Sequence, residues 1–278
     1  MDKIEIKYRK WYKGIAPRPI KLQIPGWAGD SHGHTDGDRP QPWHCPPFVE
    51  GSTYGLELIY PFDTECRVSV NEGRAVFEGR WDEEPSPDGT TFPPFLQFAP
   101  GHYGFTSSLD IKCPPDYVIR IEPHPRFYTD QTGTVPVTVC GHIQGDWWPK
   151  VFFVVFRSPR PGETHIFRKG EPYAQILVVP RRVVYTVKEM DHAESAKRNI
   201  RDGRIARFAK TIAHNSWSDY KRNGFDDKYR VLSSIYAKRG EAGVDRYLEE
   251  LERQSEERQD AQAANARKRM PRTLVRRK

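Results

Sequence analysis

The pattern of apolar and polar positions changes character twice along the chain. The longest apolar run is Val151–Phe156, and a second, Ala174–Val179, follows after a Pro/Gly-rich link and a Lys169-Gly170-Glu171 turn. Both are β-branched or aromatic and about six residues long, which fits buried strands rather than helices. From Ser52 to Lys188 short runs of this kind recur. They comprise Tyr54–Tyr60, Cys66–Val70, Ala75–Phe77, Phe95–Phe98, Ser107–Lys112 and Tyr117–Glu122, and then Pro136–Cys140, Lys150–Phe156, Glu163–Phe167, Ala174–Val179 and Arg182–Lys188. Asn71-Glu72-Gly73, Pro114-Pro115-Asp116 and Lys169-Gly170 are among the turns between them. Short strands so spaced predict a mainly β fold, a barrel or sandwich, and argue against a βαβ sheet.

Before this region, residues 1–50 carry seven prolines between Pro17 and Pro47 and a Gly/Asp cluster over Gly26–Asp38. Proline fixes φ and removes a donor, so an irregular wrapping segment is predicted there, with Trp11, Trp27 and Trp43 packing it onto the body. After Met190 the period lengthens. Ile205, Phe208 and Ile212 share one helical face, as do Val244, Tyr247, Leu248 and Leu251. Beyond Leu251 the helix loses its large apolar residues and continues through Glu252–Ala266 with charged and polar side chains and alanines, as a helix facing solvent or a partner would. The expected organisation is therefore a wrapping segment (1–50), a strand domain (51–190), a helical C-terminal extension (191–263) and a basic disordered tail (264–278).

Charge sharpens the picture of that tail. Of the net +7, all is supplied by Arg267, Lys268, Arg269, Arg272, Arg276, Arg277 and Lys278, which leaves residues 1–263 formally neutral. No broad phosphate-binding face is implied for the body. The segment Arg267–Lys278 suits non-specific contact with nucleic acid or another polyanion, against the plainer reading of a solvated terminus. No apolar run approaches the roughly 20 residues that span a bilayer, and the N-terminus lacks a signal-peptide core. A cytoplasmic location is expected. The four cysteines, Cys45, Cys66, Cys113 and Cys140, are widely spaced and read as reduced thiols.

Several motifs carry a resemblance. Trp43-His44-Cys45-Pro46-Pro47, Tyr54-Gly55-Leu56-Glu57, Gly101-His102-Tyr103-Gly104, Cys113-Pro114-Pro115-Asp116-Tyr117, Asp146-Trp147 and Lys169-Gly170-Glu171-Pro172 are similar in order and spacing to an uncharacterised bacterial domain family over about residues 40–180. More distantly, Ser108–Pro123 with Gly141–Pro180 resembles the dUTPase and dCTP deaminase superfamily, whose core is a β-clip barrel. Lys169-Gly170-Glu171-Pro172-Tyr173-Ala174-Gln175 matches that superfamily's closing turn. The resemblance implies a β-clip (dUTPase-like) barrel and, by analogy, a homo-oligomer, a trimer. It departs at the catalytic positions. Gln144 stands where the catalytic Asp would be, and a neutral amide is no general base. Pro123-His124-Pro125-Arg126 replaces the phosphate loop, and the second proline removes a donor. Trp147 takes the place of the base-stacking Tyr. dUTP hydrolysis and dCTP deamination are not expected.

Four groups of residues are candidates for chemistry. His32, His34 and Asp36, with His44, form a loop able to hold a divalent transition metal, against the reading of a solvated Gly-rich loop whose side chains cap turns. Cys45, His102 and Asp146 are candidate catalytic residues, as nucleophile, base and orienting acid or as ligands, against a buried thiol and a backbone-bonded histidine. Trp147, Trp148, Phe127 and Tyr128 offer stacking surface, against packing or an interface. Trp147, Gln144, His124 and Arg126 form the expected ligand-binding set. Three functions are thus open: a non-catalytic module binding a planar or nucleotide-like ligand or a protein; an enzyme with a metal or thiol centre; or an assembly protein with a polyanion-binding tail.

Overall fold

The computed structural model describes residues 3–21, 46–81, 84–85, 91–130, 132–218 and 224–269. In chain order the elements are β1 (Lys7–Lys10), β2 (Arg18–Pro19), α1 (Pro46–Ser52), β3 (Leu56–Ile59), β4 (Cys66–Asn71), β5 (Arg74–Glu78), β6 (Glu84–Pro85) and β7 (Thr91–Phe92). Next come β8 (Phe95–Ala99), β9 (His102–Thr106), β10 (Leu109–Lys112), β11 (Tyr117–Glu122), a 3-10 turn over Pro125–Thr129, β12 (Val137–Thr138), β13 (Gly141–Ile143), β14 (Phe153–Arg157), β15 (His165–Phe167) and β16 (Pro172–Pro180). The rest is α2 (His192–Arg207), α3 (Ala209–Ile212), β17 (Ser216–Ser218), β18 (Gly224–Asp226) and α4 (Lys228–Arg269), which is broken at Gly240. The chain is mainly β, with antiparallel pairing throughout, and carries helices at its C-terminal end.

Two compact units divide the chain. One holds the described residues of 3–21 and 47–185, and the other holds Pro46 and those of 186–269. In the first, a five-stranded sheet runs β13-β11-β16-β3-β2, a four-stranded sheet runs β12-β14-β9-β8, and a three-stranded sheet runs β15-β4-β5. Strand alternation explains the core between them. Val154 and Phe156 of β14 point inward, and so do Tyr103 and Phe105 of β9, which pairs with β14. Phe95 stacks on Phe105 at 4.5 Å and Tyr103 on Phe156 at 5.2 Å, while Tyr60, Phe167 and Tyr173 close the cluster edge-on or tilted. Such rings bury 150–250 Å² each, so a handful supplies most of the hydrophobic drive of this unit.

The second unit has a small core of Phe208, Ile212, Val244 and Leu248, supported by Ile205, Tyr247 and Leu251. These are the residues whose spacing predicts the two helical faces. Arg201 bonds Asp245 at 2.7 Å, and Arg204 and Arg207 reach Glu252 at 2.9 and 2.8 Å, so a charged seam flanks this core. The carboxylate of Asp227 is buried and accepts the backbone N–H groups of His214 (2.8 Å) and Asn215 (3.0 Å), tying β17–β18 to the start of α4. Residues 256–265 of α4 are exposed.

Two expectations are corrected. Residues 182–188 form no strand. Val184 is 92% exposed and Val187 94%, because the segment runs past Pro180, the last residue of β16 that finds a partner on β11. Segment 1–50 is not wholly irregular: β1 pairs with β10, β2 with β3, and α1 begins at Pro46. The prolines that argue against regular structure begin only at Pro17, so they never bore on Lys7–Lys10. Gly101-His102-Tyr103-Gly104, read as a motif, enters the buried strand β9. The tail beyond Arg269 lies outside the described residues, as do His32, His34, Asp36, His44 and Cys45. No helix among the described residues is long and apolar enough to cross a membrane.

Candidate ligand cavity beside Arg126

The five-stranded sheet carries a row of polar residues in register. Arg18 lies opposite Glu57, Glu57 opposite Gln175, and Gln175 opposite Glu122. Glu57 and Gln175 are buried within apolar strands, where a lone carboxylate or amide would be costly. Both are satisfied. Gln175 donates to the Tyr54 carbonyl at 2.8 Å. Gly55 lets the chain pass there: its φ is +106°, and a Cβ would stand 2.7 Å from the Ile176 carbonyl oxygen. Glu57 takes one hydrogen bond from the Arg18 Nε–H and one from His124 Nε2, at 3.1 Å. Burial works to raise the Glu57 pKa, but the His124 and Arg18 hydrogen bonds and the Arg18 charge outweigh it, and the net direction is down.

His124 sits where β11 gives way to the 3-10 turn, and it is 1% exposed. Its backbone is extended, as a residue before proline prefers. Its Nδ1 accepts the Arg126 amide N–H at 3.2 Å. A nitrogen that accepts carries no proton, so the proton is on Nε2 and is donated to Glu57. Burial lowers the His124 pKa, against the upward pull of Glu57, and keeps the ring neutral.

The turn that His124 holds directs Arg126 toward the start of β16. There its Nη2 donates to Glu171 at 2.7 Å, and the guanidinium lies 5.4 Å from the Phe127 ring centre. Glu171 stands on the Lys169-Gly170 turn. That turn is locked to the end of β3 by two backbone bonds with Tyr60, each 3.0 Å. Across from it, Asp130 accepts the N–H groups of Thr132 and Gly133, both at 3.1 Å, and the Thr132 hydroxyl at 2.8 Å. Between these walls is a cavity of about 260 Å³, lined by Arg126, Phe127, Asp130, Thr132, Thr134, Glu171, Tyr60, Phe167 and Tyr173 among others. It combines aromatic walls with a few convergent polar groups and lies near the small end of ligand sites. Arg126 and Glu171 are each about a third exposed, 31% and 35%, so their pair is worth roughly 0–1 kcal/mol and is readily exchanged for another anion.

Gln144 and Trp147 lie elsewhere. Ile143 pairs with Ile119 on β11, which puts Gln144 roughly 20 Å of extended chain from His124. There the Trp147 indole N–H donates to the Gln144 side-chain oxygen at 2.7 Å, and Trp148 meets Trp147 edge-on at 5.4 Å. Trp147 is 60% exposed. Asp146 pairs with Arg181, whose backbone N–H bonds the Asp116 carbonyl at 2.7 Å. His102 Nδ1 is 3.0 Å from the Pro100 carbonyl and therefore donates to it. Thus His102 and Asp146 are each bonded to other groups. Phe127 reaches the cavity, Tyr128 is exposed, and neither joins the tryptophans.

The two buried thiols are poor nucleophiles. Burial pushes the Cys66 thiol up to about 12 and raises that of Cys113 as well. Among the described residues no three His, Cys, Asp or Glu side chains converge as a metal site would require. The residues that sequence reading passed over are Glu57, Asp130 and the hydroxyls of Thr132 and Thr134. Glu57 left one signal, an acid enclosed by Leu56, Leu58 and Ile59, which is where a paired carboxylate is expected.

No protein-family model matches the chain, and no curated protein matches its sequence. Among solved structures, the chain is similar to the dUTPase of phage phi11 of S. aureus, with a TM-score of 0.35 and 9% identity, covering 68% of this chain and 99% of that one. It is similar to the dUTPase of Staphylococcus bacteriophage 80alpha at a TM-score of 0.34 and 9% identity, covering 67% and 98%.

Proposed function

We propose that the strand unit is a non-catalytic ligand-binding module of the β-clip kind, and that its ligand carries a planar ring and an anionic group. One observation carries this reading: Arg126 lines an aromatic-walled cavity and pairs there with Glu171, a partly exposed carboxylate that another anion can replace. The ring would lie against Phe127 and Tyr173, and the anion would take the place of the Glu171 carboxylate on the guanidinium. Nucleotide-like molecules have this composition. Hydrolysis is not part of the proposal, because Gln144 is a neutral amide whose oxygen is taken by Trp147. A thiol or metal enzyme built on Cys45, His102 and Asp146 is less well supported, since His102 and Asp146 are bonded to Pro100 and Arg181.

The module is further proposed to work in the cytoplasm, to form a homo-oligomer, a trimer on the analogy of the resembled superfamily, and to touch polyanions through the basic segment Arg267–Lys278. Light scattering that finds a monomer at micromolar concentration removes the oligomer from the proposal.

The binding test is thermal shift against a panel of nucleoside mono-, di- and triphosphates. A ligand at 100 times its Kd stabilises by about 2.7 kcal/mol, enough to move the midpoint by several degrees. The shift is expected in the wild type and lost in Arg126→Ala. A wild-type midpoint that no nucleotide moves overturns the reading.

A further inference from the structure

His124 and Glu57 are almost wholly buried, do not line the cavity, and are nonetheless joined to it by an unbroken chain of hydrogen bonds. Arg18 donates to one oxygen of Glu57, His124 Nε2 donates to the other, and His124 Nδ1 accepts the Arg126 amide. Only one arrangement of protons satisfies all of these links. The carboxylate can only accept, so Nε2 must carry the ring proton, and Nδ1 is then left as an acceptor. We propose that His124 is a positioning residue for the cavity, held in one tautomer by Glu57 so that its Nδ1 fixes the Arg126 amide and aims the guanidinium at the ligand's anion. This rests on the ligand-binding reading above.

The local chain makes the clamp necessary. Pro125 has no N–H, so the Arg126 amide is the first donor of the turn, and it is partly buried. Without the ring nitrogen that donor loses this hydrogen bond, and the turn that sets the direction of Arg126 is loosened. The charged groups facing the ring are Glu57 from β3, Arg18 from β2 and Arg126 from the turn itself. Protonating Nδ1 would set a donor against the amide donor and open the clamp, so acid should weaken it.

Two substitutions separate the halves of the device. His124→Asn puts an amide oxygen near the position of Nδ1, which keeps the acceptor for Arg126 and gives up Glu57. His124→Gln puts a side-chain nitrogen near Nε2, which keeps Glu57 and gives up the acceptor. Each loses one buried hydrogen bond, so a purely structural role predicts similar losses of Tm and of affinity in both. The experiment reads amide hydrogen exchange at Arg126 by NMR and the Kd for inorganic pyrophosphate by calorimetry, across pH 5 to 8. Positioning predicts wild-type-like protection and a Kd within about threefold for Asn, but at least tenfold faster exchange and about tenfold weaker binding for Gln. It also predicts an acid-induced loss of Arg126 protection in the wild type that is absent in Asn. Equal exchange and equal affinity in the two variants, or an unchanged acid step in Asn, overturns the positioning role even where nucleotides bind. Should either variant fail to fold, the acid step of the wild type against that of Glu57→Gln decides: positioning predicts that the step moves. If the protection pattern appears as stated while neither pyrophosphate nor any nucleotide binds, the ligand reading falls and the role of aiming at an anion falls with it.

Discussion

The buried pair Tyr103–His165 makes acid stability a quantitative consequence of the fold. Tyr103 Oη stands 2.9 Å from His165 Nδ1, and the two side chains are almost wholly buried between β9 and β15. Burial lifts the Tyr103 pKa well above its ordinary value, so the phenol keeps its proton and shares a hydrogen bond with the neutral ring. Burial also pushes the His165 pKa from 6.5 to about 4, against the upward pull of Glu163 and with a downward push from Arg157. Above pH 6.5 neither the folded nor the unfolded histidine is charged, and the group adds no pH dependence. Between pH 6.5 and 4 the unfolded chain binds a proton that the folded chain refuses, so stability falls as pH falls. At about 1.4 kcal/mol for each pH unit, the gap amounts to roughly 3 kcal/mol, fully lost below pH 4. That is a large share of the 5–15 kcal/mol that holds a typical domain together. His165→Asn keeps an acceptor near Nδ1 and cannot titrate. Urea unfolding at pH 7, 6, 5 and 4, followed by the near-UV signal of the aromatic core, should show the wild type losing roughly 3 kcal/mol more than the variant over that range. Contributions from His124 and from the carboxylates are common to both proteins and cancel. Parallel pH curves for the two proteins would refute the reasoning. Ile166 and Phe167, the next residues on β15, line the cavity, so ligand affinity should weaken through this histidine only near and below pH 4, where the folded ring itself takes up the proton.

Other substitutions test other parts of the account. Gly145→Ala would place a Cβ 2.4 Å from the Ile111 carbonyl oxygen and 2.8 Å from Ile119 Cδ1, and backbone cannot yield as a side chain does, so a loss of about 1–3 kcal/mol in urea unfolding is expected; an unchanged midpoint would contradict the packing. Asp146→Ala strips Arg181 of its carboxylate and should lower stability by about 1–3 kcal/mol, seen as a fall in the urea midpoint, with no change in the nucleotide-induced thermal shift. Loss of that shift would instead tie Asp146 to the binding site. Trp147→Ala removes a side chain that is 60% exposed, and stability within about 0.5 kcal/mol of wild type is expected, with ligand binding retained. Abolished binding in this variant would move the ligand to the tryptophan tip.

The sequence disclosed the strands whose alternation or apolar run was local. Val154 and Phe156, or Ile119 and Ile121, announce an inward face within a few residues. It also disclosed the helical pairing through Phe208, Ile212, Val244 and Leu248, because a period of 3.6 is visible in a single window. It misled at Arg182–Lys188, where β-branched residues have the propensity of a strand but no neighbour to pair with; propensity in strands is mostly a measure of packing. The candidate site was less legible, for a different reason. Arg126 and His124 stood out because Pro123-His124-Pro125-Arg126 takes the place of the phosphate loop in the resemblance. Their partners Glu171 and Glu57 lie 45 and 67 residues away, and nothing local in either sequence window marks the pairing. Gln144 and Trp147 were grouped with Arg126 by resemblance alone, and the register of β13 on β11 separates them.

The central claim is that the cavity between the Pro125–Thr129 turn and the start of β16 takes a ligand with a ring and an anion. The most direct measurement is a crystal structure of the full chain with the nucleotide that gives the largest thermal shift. The account predicts density in that cavity, with the anion on Arg126, Glu171 turned away, and the ring against Phe127 or Tyr173. Density on the Trp147–Trp148 tip, or a cavity left empty with the Arg126–Glu171 pair intact, would contradict it.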